Sequence, residues 1–242
     1  MHFPSLFKSL SSLLRPRQAL RCPICMCTAN TFLTFGIHPR PNSMCPSCRS
    51  LERHRLLWLY LEQCTDFFSA RLSVLEVAPQ KYMQDTFCKL KNLHYQSVDL
   101  SSPIAMLKMD LTNLQIPGDS YDCVLCSHVL EHIPDDREAM REIFRVMKPG
   151  GWAIIQGPVD HSRMETYEDF SIVSPQEREK HFGQCDHVRL YGRDFTDRLR
   201  GAGFVLELNR FAQTLNPRIV KCCALTTKEI LYICRKPLTA GH

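Results

Sequence analysis

The apolar positions of this chain fall into short runs separated by longer segments in which apolar and polar residues alternate at helical spacing. Runs of four to eight residues rich in Val, Leu, Ile and aromatic residues are typical of strands. They predict strands at residues 71–78, 93–98, 104–109, 121–126, 152–158, 204–208 and 228–234. Helices are predicted at residues 50–63, 135–147 and 194–202, with a further helix starting at Ser174. The order of strands and helices indicates an α/β domain.

The clearest unit runs from Tyr121 to Gly151. A buried strand is followed by a polar corner, a short helical turn and a helix whose apolar face recurs every three or four residues. Asp135 and Asp136 lie at the predicted start of this helix and Arg145 near its end, which suits the helix dipole. A strand, helix and strand of this length form a crossover connection, so part of the sheet must be parallel.

This unit resembles the fourth-to-fifth-strand region of class I S-adenosylmethionine-dependent methyltransferases of the type 11 group. The matching residues are Asp122, the run 128–133 (HVLEHI) and the run 145–151 (RVMKPGG). The resemblance covers about residues 71–236. It implies a Rossmann-like sheet of parallel strands with one antiparallel strand near the carboxyl terminus, and S-adenosylmethionine as the cofactor.

The resemblance also implies which residues hold the cofactor. Glu76 and Ala78 occupy the end of the first strand, Asp99 and Leu100 the ribose position, and Asp110 and Leu111 the adenine position. Ser127 and His128 lie along the methionine part of the cofactor and the methyl-transfer site. Either aspartate can instead cap its own loop, and a single histidine is more often structural than catalytic.

One feature of the family is missing. The acid-x-Gly-x-Gly loop after the first strand is replaced by Ala78-Pro79-Gln80, and no glycine occurs between Gly36 and Gly118. Glycines in that loop let the backbone approach a cofactor. A tight turn remains possible because alanine is small, but a nicotinamide dehydrogenase, which needs G-x-G-x-x-G, is excluded.

Residues 159–191 are predicted to form a lid with short helices over the crevice. The segment is long for a loop in a compact domain, which usually marks a functional segment or a disordered one. Asp186 and His187 are predicted to act as an acid-oriented imidazole that takes a proton from an acceptor hydroxyl, and Arg189 and Tyr191 are predicted to bind the acceptor. Hydrogen-bonded anchoring of the loop is the alternative for these four residues.

Two C-x2-C pairs precede the main domain. Cys22 and Cys25 are separated from Cys45 and Cys48 by a 19-residue spacer between Cys25 and Cys45, which is typical of zinc ribbons. Four thiolates can close a tetrahedron around Zn²⁺ and leave no position for water, so the predicted metal is structural. The spare Cys27 is a weaker ligand candidate.

Composition and charge indicate the cellular compartment and the redox state expected for this chain. The 242-residue chain has a net charge of +5 and 13 cysteines, and the six Lys and Arg residues before Glu52 have no acidic neighbours. No apolar run reaches the roughly 18 residues of a membrane helix, and no convincing signal peptide is present. Reduced thiols and a cytoplasmic location are therefore expected.

The chain divides into four predicted segments. They are a basic amphipathic lead segment (1–21), the zinc-ribbon-like module (22–49), a linking helix region capped by Ser50 (50–70) and the methyltransferase domain (71–242). The lead segment has three interpretations: a helix packed on the body, a peripheral membrane helix or a mitochondrial presequence.

The predicted activity is transfer of a methyl group from S-adenosylmethionine, with an oxygen of a polar small molecule or saccharide as the first candidate acceptor. Nucleic acid is a possible but less favoured partner, because basic residues are few and no aromatic-rich basic stripe occurs. An RNA methyltransferase and a non-catalytic scaffold that lost its glycine loop are the alternatives.

Overall fold

The computed structural model describes residues 19–238. Its strands are β1 (Leu20–Arg21), β2 (Thr28–Ala29), β3 (Leu33–Phe35), β4 (Arg40–Met44), β5 (Leu72–Val77), β6 (Leu93–Asp99), β7 (Leu107–Lys108), β8 (Tyr121–Ser127), β9 (Met147–Gln156), β10 (Tyr167–Glu168), β11 (Arg189–Leu190), β12 (Val205–Asn209) and β13 (Leu231–Arg235). Its α-helices are α1 (Glu52–Cys64), α2 (Lys81–Phe87), α3 (Asp136–Val146), α4 (Pro175–Phe182), α5 (Phe195–Gly201), α6 (Phe211–Thr214) and α7 (Pro217–Cys222).

Seven strands form the central sheet in the order β12-β13-β9-β8-β5-β6-β7. The pairings from β7 across to β9 are parallel, whereas β13 runs antiparallel to both of its neighbours. This confirms the predicted Rossmann-like sheet with one antiparallel strand. The third strand is shorter than predicted, with only Leu107 and Lys108 paired, and the last strand begins at Leu231 rather than at residue 228.

Both faces of the sheet are buried, which explains why its strands appear as nearly continuous apolar runs. Along β8, Val124 and Cys126 pack in the cluster with α3 and α5, whereas Cys123 and Leu125 pack in the cluster with α1 and α2. Because the side chains of a strand alternate between its two faces, this one segment contributes residues to both hydrophobic cores.

Helix α3 forms as predicted. The Asp135 side chain accepts a hydrogen bond from the backbone N–H of Glu138 at 2.9 Å and so caps the helix. Ala139, Met140, Ile143 and Val146 are fully buried against the sheet.

The module before the main domain is a small ribbon built of two two-stranded sheets, β1-β2 and β3-β4. The two cysteine pairs form matching backbone turns, with Met26 and Arg49 in the left-handed region at φ 62° and 67°. The four cysteine sulfurs of this ribbon lie within 4.8 Å of one another.

Ser50 is not the helix cap that was predicted. Leu51 is the residue that precedes α1, and the Ser50 hydroxyl instead lies 3.3 Å from the Cys22 sulfur and 3.2 Å from the Cys48 sulfur. The Leu51 N–H is satisfied by the His54 side chain at 3.2 Å. The hydroxyl is therefore part of the cysteine cluster, and an imidazole has taken over the capping role.

Helix α1 is buried on all sides between ribbon and sheet, rather than along one face only. Residues 54–61 are all buried, and among them Arg55 is completely inaccessible to solvent. Its guanidinium donates to the backbone carbonyls of Ser43, Ser50, Cys223 and Ala224 at 2.7–3.0 Å. Arg55 thus connects the ribbon and α1 to the end of α7, a helix that the sequence analysis did not predict.

Among residues 19–238, no helix combines the length and apolarity that crossing a membrane requires. Most of the predicted lead segment falls outside that range, so its three interpretations stay predictions.

We expect Arg55→Lys to lower the free energy of unfolding by about 3 kcal/mol, because an ammonium group cannot replace a planar donor that serves four carbonyls and leaves some of them buried without partners. Chemical denaturation measures this. Arg137→Lys, at an exposed position of α3, is the control and should change stability by less than about 0.5 kcal/mol. Equal effects of the two substitutions would show that Arg55 does not hold the modules together.

Candidate active site

The strand order places a crevice at the carboxyl ends of β5 and β8. Strand β5 pairs with β6 on one side and with β8 on the other, so the chain connections leave in opposite directions at this point. Ligands of open α/β sheets bind at such a point. Residues at the ends of β5, β6, β7 and β8 therefore face one another across a shared space.

Ala78 replaces a glycine of the family without losing the turn. It adopts φ 51°, in the left-handed region, and donates its N–H to the Val98 carbonyl at 2.9 Å. Alanine is strained in this conformation, although its small side chain limits the cost. The left-handed turn that a glycine would allow at this position is therefore formed with alanine.

A cleft lies directly above this turn. Its empty space, counted with the open mouth and the adjoining solvent, is about 300 Å³. The residues that line it are His54, Leu57, Glu76, Val77, Ala78, Gln80, Met83, Leu125 and Ser127. Helix α1 therefore covers one side of the cleft, a contribution that the strand motifs did not predict.

Glu76 is a buried acid at the base of this cleft. Its Oε2 accepts a hydrogen bond from the Tyr95 hydroxyl at 2.5 Å, and the residue is 5% exposed. Burial raises the pKa of Glu76 to about 7, and the hydrogen bond from Tyr95 offsets only part of that effect. The carboxyl group is thus poised to ionise near neutral pH when a cation approaches.

Asp99 and Asp110 both fold their own loops, and both retain a free oxygen. Asp99 Oδ1 accepts the N–H groups of Ser101 and Ser102 at 2.7 and 2.6 Å. Asp110 Oδ1 accepts the N–H and the hydroxyl of Thr112, each at 2.8 Å. In the described part of the chain, no hydrogen bond reaches Oδ2 of either residue. Loop capping and ligand binding, treated as alternatives above, are compatible because each uses a different oxygen.

The neighbours of these aspartates differ in exposure. The Leu100 side chain is 61% exposed at the crevice edge, whereas Leu111 is 5% exposed and packs in the main core. Only the backbone of Leu111 is therefore placed to meet a ligand.

Ser127 and His128 end β8 beside β9. The His128 N–H donates to the Gln156 carbonyl at 2.9 Å, and the Ser127 hydroxyl lies 3.4 Å from the Gln156 side-chain oxygen. His128 has φ 56°, which turns the chain sharply out of the strand. Its Nδ1 lies 3.2 Å from Glu131 Oε1, so an acid on the following short 3₁₀ turn (Leu130–His132) contacts the imidazole.

Sequence reasoning missed several charged residues near the crevice. Glu131 belongs to the conspicuous HVLEH run, and its three-residue spacing from His128 is a usable signal for their contact. Glu229, whose Oε1 accepts from the Gln156 amide at 3.2 Å, had no motif around it. Burial raises the pKa of Glu229. Burial lowers the pKa of Arg53, and the negative charges of Glu229 and Glu131 oppose that shift. The Arg53 Nε is buried without a hydrogen-bond partner in the described chain.

The pairing of acid and imidazole within the lid differs from the prediction. The Asp186 carboxylate contacts His132, with Oδ2 3.3 Å from Nδ1, rather than its neighbour His187. His187 Nδ1 instead lies 3.2 Å from the Phe182 carbonyl. Consecutive residues of an irregular loop point in different directions, which is why adjacency in sequence was misleading. Burial lowers the pKa of His187, so the neutral imidazole is favoured.

Arg189 and Tyr191 anchor the lid, and the prediction that they bind an acceptor does not fit their burial. Both residues are fully buried. The Arg189 guanidinium donates to the carbonyls of Leu130, Ile133 and Pro134, and the Tyr191 hydroxyl donates to Asp136 at 2.7 Å. Their polar groups are thus already satisfied within the protein.

The lid is closed over the 3₁₀ turn by a buried charge network. Arg189 and Arg198 both reach Glu168 at 2.9 Å, and Arg198 also reaches Asp136 at 3.0 Å. Helix α4 of the lid begins as predicted, with the Ser174 hydroxyl accepting the Glu177 N–H. The network fixes His187 against His132, whose ring lies edge-on at a centroid distance of 4.8 Å.

Comparison with known proteins supports this architecture. Residues 62–155 match the family model Methyltransf_11, described as a methyltransferase domain. That segment contains the first loop, both aspartates, His128, Glu131 and α3. This segment of the chain is therefore similar to a methyltransferase domain.

Curated relatives match over the same region. A ubiquinone/menaquinone biosynthesis C-methyltransferase of Cronobacter sakazakii is 24% identical over 150 residues, which are 59% of this chain and 59% of the relative. The corresponding enzyme of Salmonella arizonae is 22% identical over the same shares. The alignment thus spans less than two thirds of these relatives.

Solved structures show the same fold at low identity. A putative sarcosine dimethylglycine methyltransferase from Galdieria sulphuraria is 13% identical, has a TM-score of 0.50 and covers 76% of this chain and 86% of its own. The [4+2]-cyclase SpnF is 17% identical with a TM-score of 0.50 and covers 76% of this chain and 81% of its own. The fold is therefore established, whereas the reaction must be argued from the residues.

We expect the stability of the Glu76→Gln variant relative to wild type to increase with pH. The folded pKa of Glu76, about 7, lies above its ordinary 4.5. Between these two pH values the folded wild type keeps a proton that its unfolded chain has released. The free energy of unfolding of the wild type therefore falls as pH rises from about 4.5 to about 7. Glutamine does not titrate, and its relative advantage should grow by about 3 kcal/mol across that window.

Denaturant unfolding at a series of pH values measures the difference. Glu179→Gln, at an exposed position of α4, controls for the removal of one carboxylate. A difference that stays constant with pH for Glu76→Gln would contradict the buried, protonated state.

Proposed function

We propose that this protein transfers a methyl group from S-adenosylmethionine to an oxygen of a polar small molecule or saccharide. The observation that carries the proposal is the pair of free Oδ2 atoms on Asp99 and Asp110, at the successive strand ends where the family holds ribose and adenine. Since Oδ1 of each residue fixes the loop, each Oδ2 is preorganised as an acceptor.

The residues of the cleft fit the remaining part of the cofactor. Ala78 and Glu76 line the cleft, and Glu76 offers a carboxyl group that ionises when a cationic amino group approaches. The amino-acid portion would lie at the mouth of this cleft, and the nucleoside would lie along the open ends of β6 and β7. When bound, S-adenosylmethionine supplies a methyl group on a sulfonium sulfur, and transfer to oxygen breaks the sulfur–carbon bond and leaves a neutral thioether.

The chain's own contribution is alignment and removal of the acceptor proton. His128 is the candidate base because its imidazole is partly exposed at the end of β8 and Glu131 contacts its Nδ1 at 3.2 Å. That contact orients the imidazole ring. Asp186 and His187, predicted as an acid-base pair, instead belong to the group around His132.

The charge of the lid favours a neutral polar acceptor over RNA. Residues 159–191 contain seven Asp and Glu residues against four Lys and Arg, and Glu131 and Glu229 add acid beneath them. A polyanion would be repelled there. Hydroxyl groups, in contrast, are suited to a surface rich in carboxylates and imidazoles.

We also propose that the ribbon binds one structural Zn²⁺ through Cys22, Cys25, Cys45 and Cys48. The support is their clustering within 4.8 Å and the Ser50 hydroxyl beside two of the sulfurs, where it can donate to a metal-bound thiolate. With four thiolates as ligands the metal would be closed to substrate. Its role would be to hold the ribbon on which α1 is mounted.

We expect Asp99→Asn to weaken S-adenosylmethionine binding at least about tenfold, because it replaces the free acceptor oxygen by a donor. The asparagine oxygen still satisfies Ser101 and Ser102, so the loop should persist. Isothermal titration calorimetry measures the affinity. Asp135→Asn, which likewise keeps a capping oxygen but precedes α3, is the control and should bind as wild type does.

Unchanged affinity of Asp99→Asn would sink the proposed placement of the cofactor. A wild-type protein that neither binds S-adenosylmethionine nor carries it or its demethylated product through purification would identify a non-catalytic scaffold.

We expect methyl label from S-adenosylmethionine to appear on a saccharide or similar polyol in an acceptor screen that also contains RNA and quinol-type aromatic compounds. His128→Gln should reduce the rate about 10²- to 10⁴-fold through loss of the base, with cofactor affinity retained. Label found in RNA would favour the RNA methyltransferase alternative. Label on an aromatic carbon would favour a reaction like that named for the curated relatives.

A further inference from the structure

A second group of metal-type ligands lies under the lid, apart from the ribbon cysteines. Glu131, His132 and His187 each offer a ligand atom, and these three atoms lie within 4.8 Å of one another. Two residues come from the 3₁₀ turn after β8 and the third from the lid. The closed position of the lid therefore assembles the group.

The surroundings of the Glu131 carboxylate favour a bound cation. Its side chain is completely inaccessible to solvent, and neither carboxylate oxygen has a hydrogen-bond partner among the described residues. The His128 Nδ1 contacts Oε1 at 3.2 Å, which leaves Oε2 without a polar partner in the described chain. A buried carboxylate without hydrogen bonds is costly and rare in folded proteins, and a bound ion is one of its ordinary explanations.

The two histidines are held as metal ligands usually are. His187 Nδ1 lies 3.2 Å from the Phe182 carbonyl, and His132 Nδ1 lies 3.3 Å from both the carboxylate and the backbone carbonyl of Asp186. Acceptors at Nδ1 place the proton there, so Nε2 carries the lone pair that a metal would use. Such acceptors behind metal-bound imidazoles fix the ring orientation and increase its basicity.

From this geometry we propose that Glu131, His132 and His187 bind one divalent first-row transition metal ion. Two imidazoles and one carboxylate suit Zn²⁺, Fe²⁺ or Co²⁺ and leave coordination positions open, in contrast to the closed four-thiolate site. The His132 side chain is 30% exposed, so a path for entry exists.

The metal's role rests on the proposed function. An acceptor hydroxyl that occupies an open position would lose its proton more easily, because a bound cation stabilises the alkoxide. His128 lies next to Glu131 and would receive that proton. Metal and base together would select acceptors that present a coordinating oxygen.

Co²⁺ is the probe that tests this site. The full chain is first given one equivalent of Zn²⁺, which the soft thiolates of the ribbon are expected to retain, and is then titrated with Co²⁺. We expect one further equivalent to bind, with a visible d–d spectrum but without the near-ultraviolet bands of thiolate-to-cobalt charge transfer. Thiolate bands, or no binding of Co²⁺, would overturn the proposal.

Graded variants separate ligands from surroundings. Glu131→Gln, His132→Gln and His187→Gln should each weaken Co²⁺ binding by more than about a hundredfold, and Asp186→Asn by about 10- to 100-fold, since it acts through His132. His161→Gln, an exposed histidine of the same lid, should bind as wild type does. His132→Gln is decisive if the two buried variants misfold, because the His132 side chain is partly exposed. Wild-type affinity in His132→Gln would contradict the assignment.

Calorimetry with S-adenosylmethionine on the same samples distinguishes two failures. Cofactor binding without any Co²⁺ binding to the Zn²⁺-loaded chain would remove the metal site and leave the proposed function intact. Co²⁺ binding at this site without cofactor binding would retain the metal site and remove the proposed function.

Discussion

The buried guanidinium of Arg55 is the interaction on which the arrangement of the two modules depends. A cation that is completely inaccessible to solvent must be compensated by hydrogen bonds, because its desolvation is costly. The four carbonyls that compensate it come from the ribbon, the start of α1 and the segment after α7. Helix α1 is thereby fixed over the sheet with Arg53 and His54 directed towards the crevice. The ribbon therefore shapes the active-site wall without contributing a cysteine to it.

A second charge network fixes the lid on the other side of the crevice. Arg189 and Arg198 share Glu168 and Asp136, and they hold the lid against the 3₁₀ turn that follows β8. Buried charge networks of this kind impose a specific geometry. His187, on an irregular segment, is held beside His132 in this arrangement. Arg189 and Tyr191, which the sequence predicts to bind an acceptor, thus fix the positions of other residues instead.

The fold alone leaves the reaction open, and the chemistry of the crevice restricts it. A cyclase and a methyltransferase share this architecture at a TM-score of 0.50, so strand order cannot identify the reaction. Carboxylates and imidazoles crowd the end of β8, whereas the lid above is net acidic. This environment is suited to binding and deprotonating a hydroxyl. A metal ion among Glu131, His132 and His187 would account both for the unpartnered carboxylate and for the orientation of the two rings.

The sequence by itself determined the sheet, because buried parallel strands and an amphipathic crossover helix leave periodic patterns that need no partner to be recognised. The run from Tyr121 to Gly151 gave strand β8, its 3₁₀ turn and α3 nearly residue for residue, and the cysteine spacing gave the four-sulfur cluster. Loop positions next to strands, such as Asp99 and Asp110, were also predictable, since a strand end fixes where the next side chain lies.

Only the tertiary structure decided how the remaining residues combine. The missing glycines suggested a damaged loop, yet the surrounding sheet holds Ala78 in a left-handed turn. Asp186 was expected to orient its neighbour and instead contacts His132, and Ser50 was expected to cap a helix and instead joins the sulfurs. Each of these outcomes depends on residues far away in the chain. Local sequence patterns report the periodicity of a segment, whereas the partner of a loop side chain is set by the packing of segments distant in sequence.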